Sequence, residues 1–556
     1  MVYIFPTNRA VRAFYAQAPE TNRLLPKAYS IQTFFEQALY VEGKVRADSL
    51  IRTLCMQEAI SFDAFELLHI PKPFMAFVKH SSYLFRFFEE LAGEELSFNA
   101  LYGADTYAQY NEHLNILETV HSRYCKRLDE LGYYDSITLS KDSVIDENFI
   151  YNSKALTIHH EGYFSGFEYR ILSEIAKKIP IFVKMTAVSY NESEVQRIFG
   201  TKVDLDFEIE GEWLKKPNYL HQLPSKVEVV CSSFAQRSLQ VGFIFDQIAR
   251  FVEDGVNPED IVVVLPDESF VDFLKIYDKN HLLNFAMGLS LKETVFYQKL
   301  KANQIYLNQP NEESRHRRAR LGVIDGWSKA WSEKVDYLTF KGLLGPIDEL
   351  NLEMKEIVET QMLRFERLFA WMNFIIFGEA ISLFLQELSQ ERFDDVGGGA
   401  VTVMGVLETR GSSFKGVIIP DFNESMVPKR SEKDLFLSSS VRSYAKMPDS
   451  YDREQLQRYY YHKLLIQAKH KAISYVKNEE SIPSRFLHAF ETELWTYDSA
   501  KLASVFMPEG DSFTPFDEDP KFFHEVTKTP ISASRLRVLL TCPRQYYYKY
   551  IEKIPY

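Results

Sequence analysis

The sequence predicts an α/β chain built as two α/β units, each interrupted by a large helical insertion. Three observations point there. Short apolar runs alternate with helical periodicity, the pattern of strand–helix–strand units on a parallel sheet. Two long stretches, about 34–135 and 268–392, carry apolar residues at three-to-four spacing with few strand signals. Polar, proline-bearing breaks at 215–226 and 506–530 divide the chain.

In chain order, residues 2–5 form an apolar run stopped by Pro6 and read as a buried strand. Thr7 or Asn8 then caps a helix to about Gln17. Helical spacing follows in Phe62, Phe65 and Leu68, and again in Leu84, Phe87, Phe88 and Leu91. Strand-like runs return at 155–159 and 179–185, with a helix at 168–178 between them. Residues 215–226 read as a linker. Then come a strand at 227–231, a helix at 234–254 and a strand at 261–265, the turn marked by Gly255 and Pro258. Residues 268–392 are mostly helical, and 365–388 read as one amphipathic core helix. Its charged residues Glu366, Arg367, Glu379 and Glu387 break the ~20 apolar residues that a membrane span needs. After a flexible break at 396–399, strands are expected at 401–406, 416–420 and 471–476, with a helix at 452–468. Residues 506–530 hold four prolines and the run Asp517-Glu518-Asp519, a second linker.

The 556 residues amount to about three to five domains. With 46% apolar and 25% charged residues, disorder and collagen-like repeats are excluded. Lys+Arg 64 against Asp+Glu 77 leaves −13, which argues against a general nucleic-acid coat but not against a local basic channel. Cys55, Cys125, Cys231 and Cys542 make no disulfide framework and fit a reducing compartment. No secretion signal opens the chain. A cytoplasmic protein without a membrane partner is therefore expected.

A nucleotide-cradling Gly-x-x-x-x-Gly-Lys-[Ser/Thr] loop is absent, since Gly43-Lys44 runs into Val45 without an upstream glycine. No Gly-x-Ser-x-Gly nucleophile turn occurs. His159 and His160 are strand neighbours pointing to opposite faces, which disfavours a shared metal. The cluster Arg315-His316-Arg317-Arg318-Ala319-Arg320 is either a solvated helix face or a DNA-backbone patch, with Arg317 and Arg318 as its candidates. Tyr546-Tyr547-Tyr548 either stack on bases or pack a helix.

Several segments resemble superfamily 1 helicases of the UvrD type. Residues Phe5-Pro6-Thr7-Asn8-Arg9-Ala10-Val11-Arg12 resemble motif Ia, and Ala28-Tyr29-Ser30-Ile31-Gln32-Thr33-Phe34-Phe35 the next DNA-contacting segment. Ile158-His159-His160-Glu161-Gly162 is similar to the degenerate motif II of RecC- and AddB-type proteins. The closest match is Val403 to Pro420 with Asn423-Glu424-Ser425-Met426-Val427-Pro428, which resembles motif V and the run after it. Ser484-Arg485-Phe486-Leu487 fits the segment after motif VI. Residues 531–536 and Cys542-Pro543-Arg544-Gln545-Tyr546 look like the opening helices of a RecB/AddB-type PD-(D/E)xK nuclease domain.

The resemblance is to the AddB/RecC-like subunits of the AddAB/RecBCD helicase–nuclease family. It implies two RecA-like domains, 1–220 with an insertion at about 34–135 and 226–500 with an insertion at about 268–392. A linker at 501–529 and the start of a nuclease domain at 530–556 follow. It assigns DNA contacts to Thr7, Asn8, Arg9, Arg12, Thr33, Arg410 and Lys415. His160-Glu161 stands where an Asp-Glu pair would hold Mg²⁺, and Gln467 where motif VI has its phosphate-reaching arginine. Loss of such an arginine costs roughly 10³–10⁵ in rate. No ATPase activity is expected, and no catalytic residue is assigned within these residues. The implied role is a DNA-guiding subunit acting on double-strand ends and single-stranded tails beside an AddA-type, UvrD-like helicase subunit. The nuclease groups, Mg²⁺ and a 4Fe–4S cluster would belong to a longer protein of which this is a part. Cys542 fits the first cluster ligand, and Cys55, Cys125 and Cys231 lack the spacing for the others. The competing expectations are a helicase-derived interaction scaffold that touches no DNA, and an independent ATP-driven helicase.

Overall fold

The computed structural model describes residues 1–553 except 19–23, 105–110, 225, 346–349, 394–397, 430–434 and 498–530. They divide by internal contacts into two compact units, Met1–Gly288 with Asp394–Ala503, and Leu289–Phe393 with Ser504–Tyr556. The expected linker at 501–529 and residues 396–397 of the expected glycine break lie outside the described residues. Among the described residues no helix is long and apolar enough to cross a membrane.

The first unit is mixed α/β and holds two large sheets besides two short two-stranded ones. Its N-terminal sheet comprises β1 (Val2–Phe5), β2 (Lys27–Ser30), β3 (Leu156–His159), β4 (Ile181–Ala187), β5 (Phe207–Glu212) and β6 (Asn218–Gln222) in the order β6-β5-β4-β3-β1-β2. The four strands β1 to β4 run parallel, and β5 and β6 are antiparallel additions. Parallel strands bury both faces, so Ile4, Leu156, Ile158, Ile181 and Val183 all lie within 1% of complete burial. Helix α1 (Asn8–Ala16) follows β1 at once, its start fixed by Thr7, whose hydroxyl accepts from Ala10 N–H. Helix α2 (Ile31–Ala38) starts on Ser30 in the same way.

The insertion packs α3 (Ser49–Ala59), α4 (Ser81–Gly93), α5 (Asn111–Glu130) and α6 (Ser136–Asp142). Asp135 is its polar hub. It is 2% exposed, accepts from Arg52 Nε at 2.8 Å and Tyr124 Oη at 2.7 Å, and caps α6. Helices α7 (Gly166–Ala176) and α8 (Glu192–Phe199) then cover the sheet with Ile171, Leu172, Ile175, Ile198 and Phe199.

The second sheet is wholly parallel, with β7 (Glu228–Phe234), β8 (Ile261–Leu265), β9 (Leu283–Phe285), β10 (Val401–Gly405), β11 (Gly416–Ile419), β12 (His470–Val476) and β13 (Glu491–Leu494) in the order β9-β10-β8-β11-β12-β7-β13. Helix α9 (Gln240–Glu253) crosses from β7 to β8.

The second unit carries α10 (Val295–Asn308), α11 (Glu312–Leu321), α12 (Tyr337–Leu343), α13 (Leu352–Met372) and α14 (Phe377–Leu388). Its core stacks Phe340 on Phe365, with Phe384 edge-on to both. Near the C-terminal end are α15 (Ala533–Thr541), which starts on Ser532, and the single turn Pro543–Tyr546, which starts on Cys542.

Two expectations fail on local grounds. Residues 215–226 are not a plain linker, because β6 lies within them and pairs with β5. Gly211 permits this, since a Cβ there would stand 2.7 Å from Pro217 Cα. Residues 365–388 are not one helix. Helix α13 ends at Asn373, whose φ of +60° leaves the helical region that asparagine leaves most readily among non-glycines. Ile375–Ile376 then pairs with Lys334–Val335 before α14 begins.

Candidate site at the junction of the two sheets

The first turn of the chain makes the first contact between the sheets. Strand β1 passes into α1 through Pro6 and Thr7 alone. A phosphate cradle needs several free backbone N–H groups, and proline supplies none. Thr7 Oγ1 donates instead to the Arg410 carbonyl at 3.0 Å, in the loop after β10. In that loop Gly411 has φ +75°, and a Cβ there would stand 2.6 Å from Ala10 Cβ and 2.9 Å from Pro6 Cδ. Gly411→Ala adds positive-φ strain and an overlap with a strand-end turn. It is expected to cost about 2 kcal/mol, read as a lowered urea midpoint with unchanged slope.

The end of β3 makes the second contact. His159 stacks on Phe5, centroids 4.5 Å apart, while His160 turns the other way, Nε2 3.1 Å from Glu194 Oε1 with its ring 3.9 Å from that of Phe164. The two imidazoles thus share no ligand. Next in sequence, Glu161 forms an ion pair with Lys463 on the helix Ser450–Gln467. Only 11% of the Glu161 side chain and 12% of the Lys463 side chain are exposed. Burial pulls the Lys463 ammonium down from its ordinary value, and the carboxylate in contact opposes that pull. Gly162, with φ +144°, leaves room for the Tyr460 hydroxyl, which would be 3.2 Å from a Cβ. One turn on, Gln467 Nε2 donates to Glu208 Oε1 at 3.4 Å, and Glu208 also accepts from Thr186.

A third tie joins the helical insertion to the second sheet's connections. Glu90 on α4 accepts from Arg442 at 2.7 Å and from Arg453 at 2.5 Å.

Around this junction the residues expected to touch DNA fall into separate groups. Thr7, Asn8, Arg9, Arg12 and Arg410 gather where the first turn meets the loop after β10. Asn8 and Arg12 are exposed. Arg9 is half-buried, and its pKa is lowered first by burial and then by Arg12, against a raising pull from Glu408. Arg410 Nε donates to the Leu407 carbonyl, and its guanidinium lies 5.7 Å from the Tyr460 ring centroid. Thr33 serves α2, its hydroxyl 2.9 Å from that of Ser30. Lys415 precedes β11, at the opposite edge of the sheet from the loop after β10, and pairs with Asp260 at 2.7 Å. Arg317 and Arg318 lie on α11 of the other unit, where Arg318 Nε donates to Asn303 Oδ1 at 2.7 Å.

The Glu161 carboxylate, standing where the resembled motors carry an Asp-Glu pair, is engaged by Lys463. Cys542 caps a helix turn, with Gln545 N–H 3.4 Å from its sulfur. Cys55 is buried in α3, Cys125 lies in α5 with its sulfur 3.6 Å from His121 Nε2, and Cys231 is buried in β7. Among the described residues no three His, Cys, Asp or Glu side chains are grouped to hold a metal ion.

Sequence reading missed Lys463, Glu90, Arg442 and Arg453. One signal pointed to the first of them. Lys463 follows Tyr459-Tyr460-Tyr461-His462 and precedes Leu464-Leu465, a charge inside a run that a helix must bury. Compared with protein-family models and with curated proteins, the chain matches none.

Proposed function

We propose that the chain is an AddB/RecC-like, ATPase-inactive subunit that guides DNA for a helicase–nuclease processing double-strand ends. In this reading the two sheets are RecA-like domains and the residues from 531 onward open a nuclease domain. The observation that carries it is the Glu161–Lys463 ion pair. In a motor of the family it resembles, the groups at the end of β3 and on the motif VI helix face a nucleotide. Here they neutralise each other, and Gln467 is spent on Glu208. A motor must also open and close between its domains. Thr7–Arg410, Glu161–Lys463 and Glu90–Arg442/Arg453 hold one closed arrangement. Such a body suits passive channelling of a strand drawn by a UvrD-type, AddA-like partner.

Two measurements test the reading. With single-stranded DNA present, ATP turnover is expected at buffer background. Binding of a forked duplex, followed by anisotropy at 50 and 200 mM salt, is expected to weaken as salt rises. ATP turnover above background would favour an independent helicase. Absence of salt-sensitive binding, with the helicase partner present, would favour an interaction scaffold.

A further inference from the structure

Helix α11 is the densest basic element in an acidic chain, and the structure sorts its cations into two kinds. Ser314, Arg318 and Leu321 form its inward face. Arg318 is committed there, bonded to Asn303 Oδ1 and lying 4.8 Å from the Tyr306 ring centroid. Arg315, His316, Arg317 and Arg320 are all exposed. Among the described residues none of these four has a carboxylate within ion-pair distance, and Arg317 donates only to the neutral Gln298 at 2.8 Å. The nearest acids on the helix, Glu312 and Glu313, occupy its first turn, where the helix dipole favours them.

Three unpaired arginines have not been neutralised locally in a protein with thirteen excess negative charges. Their Cα atoms span about 7.5 Å along the axis, from Arg315 to Arg320 at 1.5 Å per residue. At about 100° per residue Arg320 lies about 60° from Arg317 and about 140° from Arg315, so the three spread over the outward half of the helix, and their long side chains reach phosphates on either side of it, one charge per about 1.7 Å of duplex axis. Single-strand tracks also need exposed rings for stacking. Helix α11 has no aromatic residue besides His316; on the neighbouring α10 Tyr297 is buried, Phe296 is half-buried and Tyr306 is covered by Arg318.

We infer that Arg315, Arg317 and Arg320 of α11 contact the phosphate backbone of double-stranded DNA, independently of base sequence. This rests on the DNA-guiding function above and names a duplex contact for it.

The test is anisotropy of the full chain with a blunt 30-bp duplex and with a single strand of equal length, from 50 to 200 mM salt. The variant R315Q/R317Q/R320Q keeps the inward face and Arg318 intact, and circular dichroism is expected to match wild type. Duplex affinity at 50 mM salt is expected to fall by about 10–100-fold, and the log–log salt slope to flatten by about 2–3. Single-strand affinity is expected to stay within about twofold. A folded variant with wild-type duplex affinity and slope overturns the contact and leaves the proposed function standing. Equal losses on duplex and single strand overturn the assignment to duplex. A wild-type chain that binds neither DNA overturns the contact, and if it still fails on the forked duplex with its helicase partner, the proposed function falls as well.

Discussion

Lys463→Met is expected to destabilise the first unit by about 3–5 kcal/mol, the usual cost of stranding one partner of a buried ion pair. The methionine fills most of the lysine's volume, so the loss reads charge rather than a cavity. Glu161 is left with 11% of its side chain exposed and without its cation. It must then draw in water or take up a proton, and either route loosens the packing of Tyr460 over Gly162. The double variant E161Q/K463M removes both charges and is expected to regain most of the loss. Urea unfolding of the wild type, both single variants and the double variant gives the coupling between the two residues directly. Additive single effects would show that the pair does not bind the two sheets together. E161Q/K463M is expected to gain no ATP turnover, because the β1–α1 turn, made of Pro6 and Thr7, still lacks a phosphate cradle.

Much of the scaffold is legible in the sequence because it is written locally. Residues 261–265 are Ile-Val-Val-Val-Leu, apolar throughout, and become a strand buried on both faces. Thr7 caps α1 because its side chain needs only the backbone three residues ahead. Reading fails where the deciding contact is remote. Asn218–Gln222 is polar and follows a proline, so only pairing with β5 makes it a strand. Glu161 and Lys463 are 302 residues apart, and no periodicity connects them. Lys415 sits in a motif-like stretch near Arg410, yet the loop between them returns from the C-terminal end of β10 to the start of the parallel β11 and so carries the two to opposite ends of the strands. Arg317 and Arg318 are sequence neighbours that a helix turns to different faces.

Acidification is expected to weaken the junction through His159. Burial, then the charges of Lys184 and Lys463, lower its pKa from the ordinary 6.5 to about 4. The unfolded chain takes up the proton near 6.5 while the folded chain refuses it until about 4, so the unfolded state binds more protons throughout that window. Stability therefore rises with pH across it. The contribution is fully present above 6.5 and is lost as pH falls towards 4. Withholding the proton over that window is worth about 3 kcal/mol of stability. His159→Phe keeps a ring against Phe5, now stacked at 4.5 Å, and removes the titration. Carboxylates that titrate in the same range do so in both proteins, so the difference between their pH profiles isolates the imidazole. Urea midpoints at pH 7, 5.5 and 4 are expected to diverge, the variant gaining on wild type as pH falls, with wild type losing about 3 kcal/mol more by pH 4. Parallel profiles would mean that His159 accepts its proton without disturbing Lys463, and that the end of β3 is open to solvent rather than closed over the ion pair.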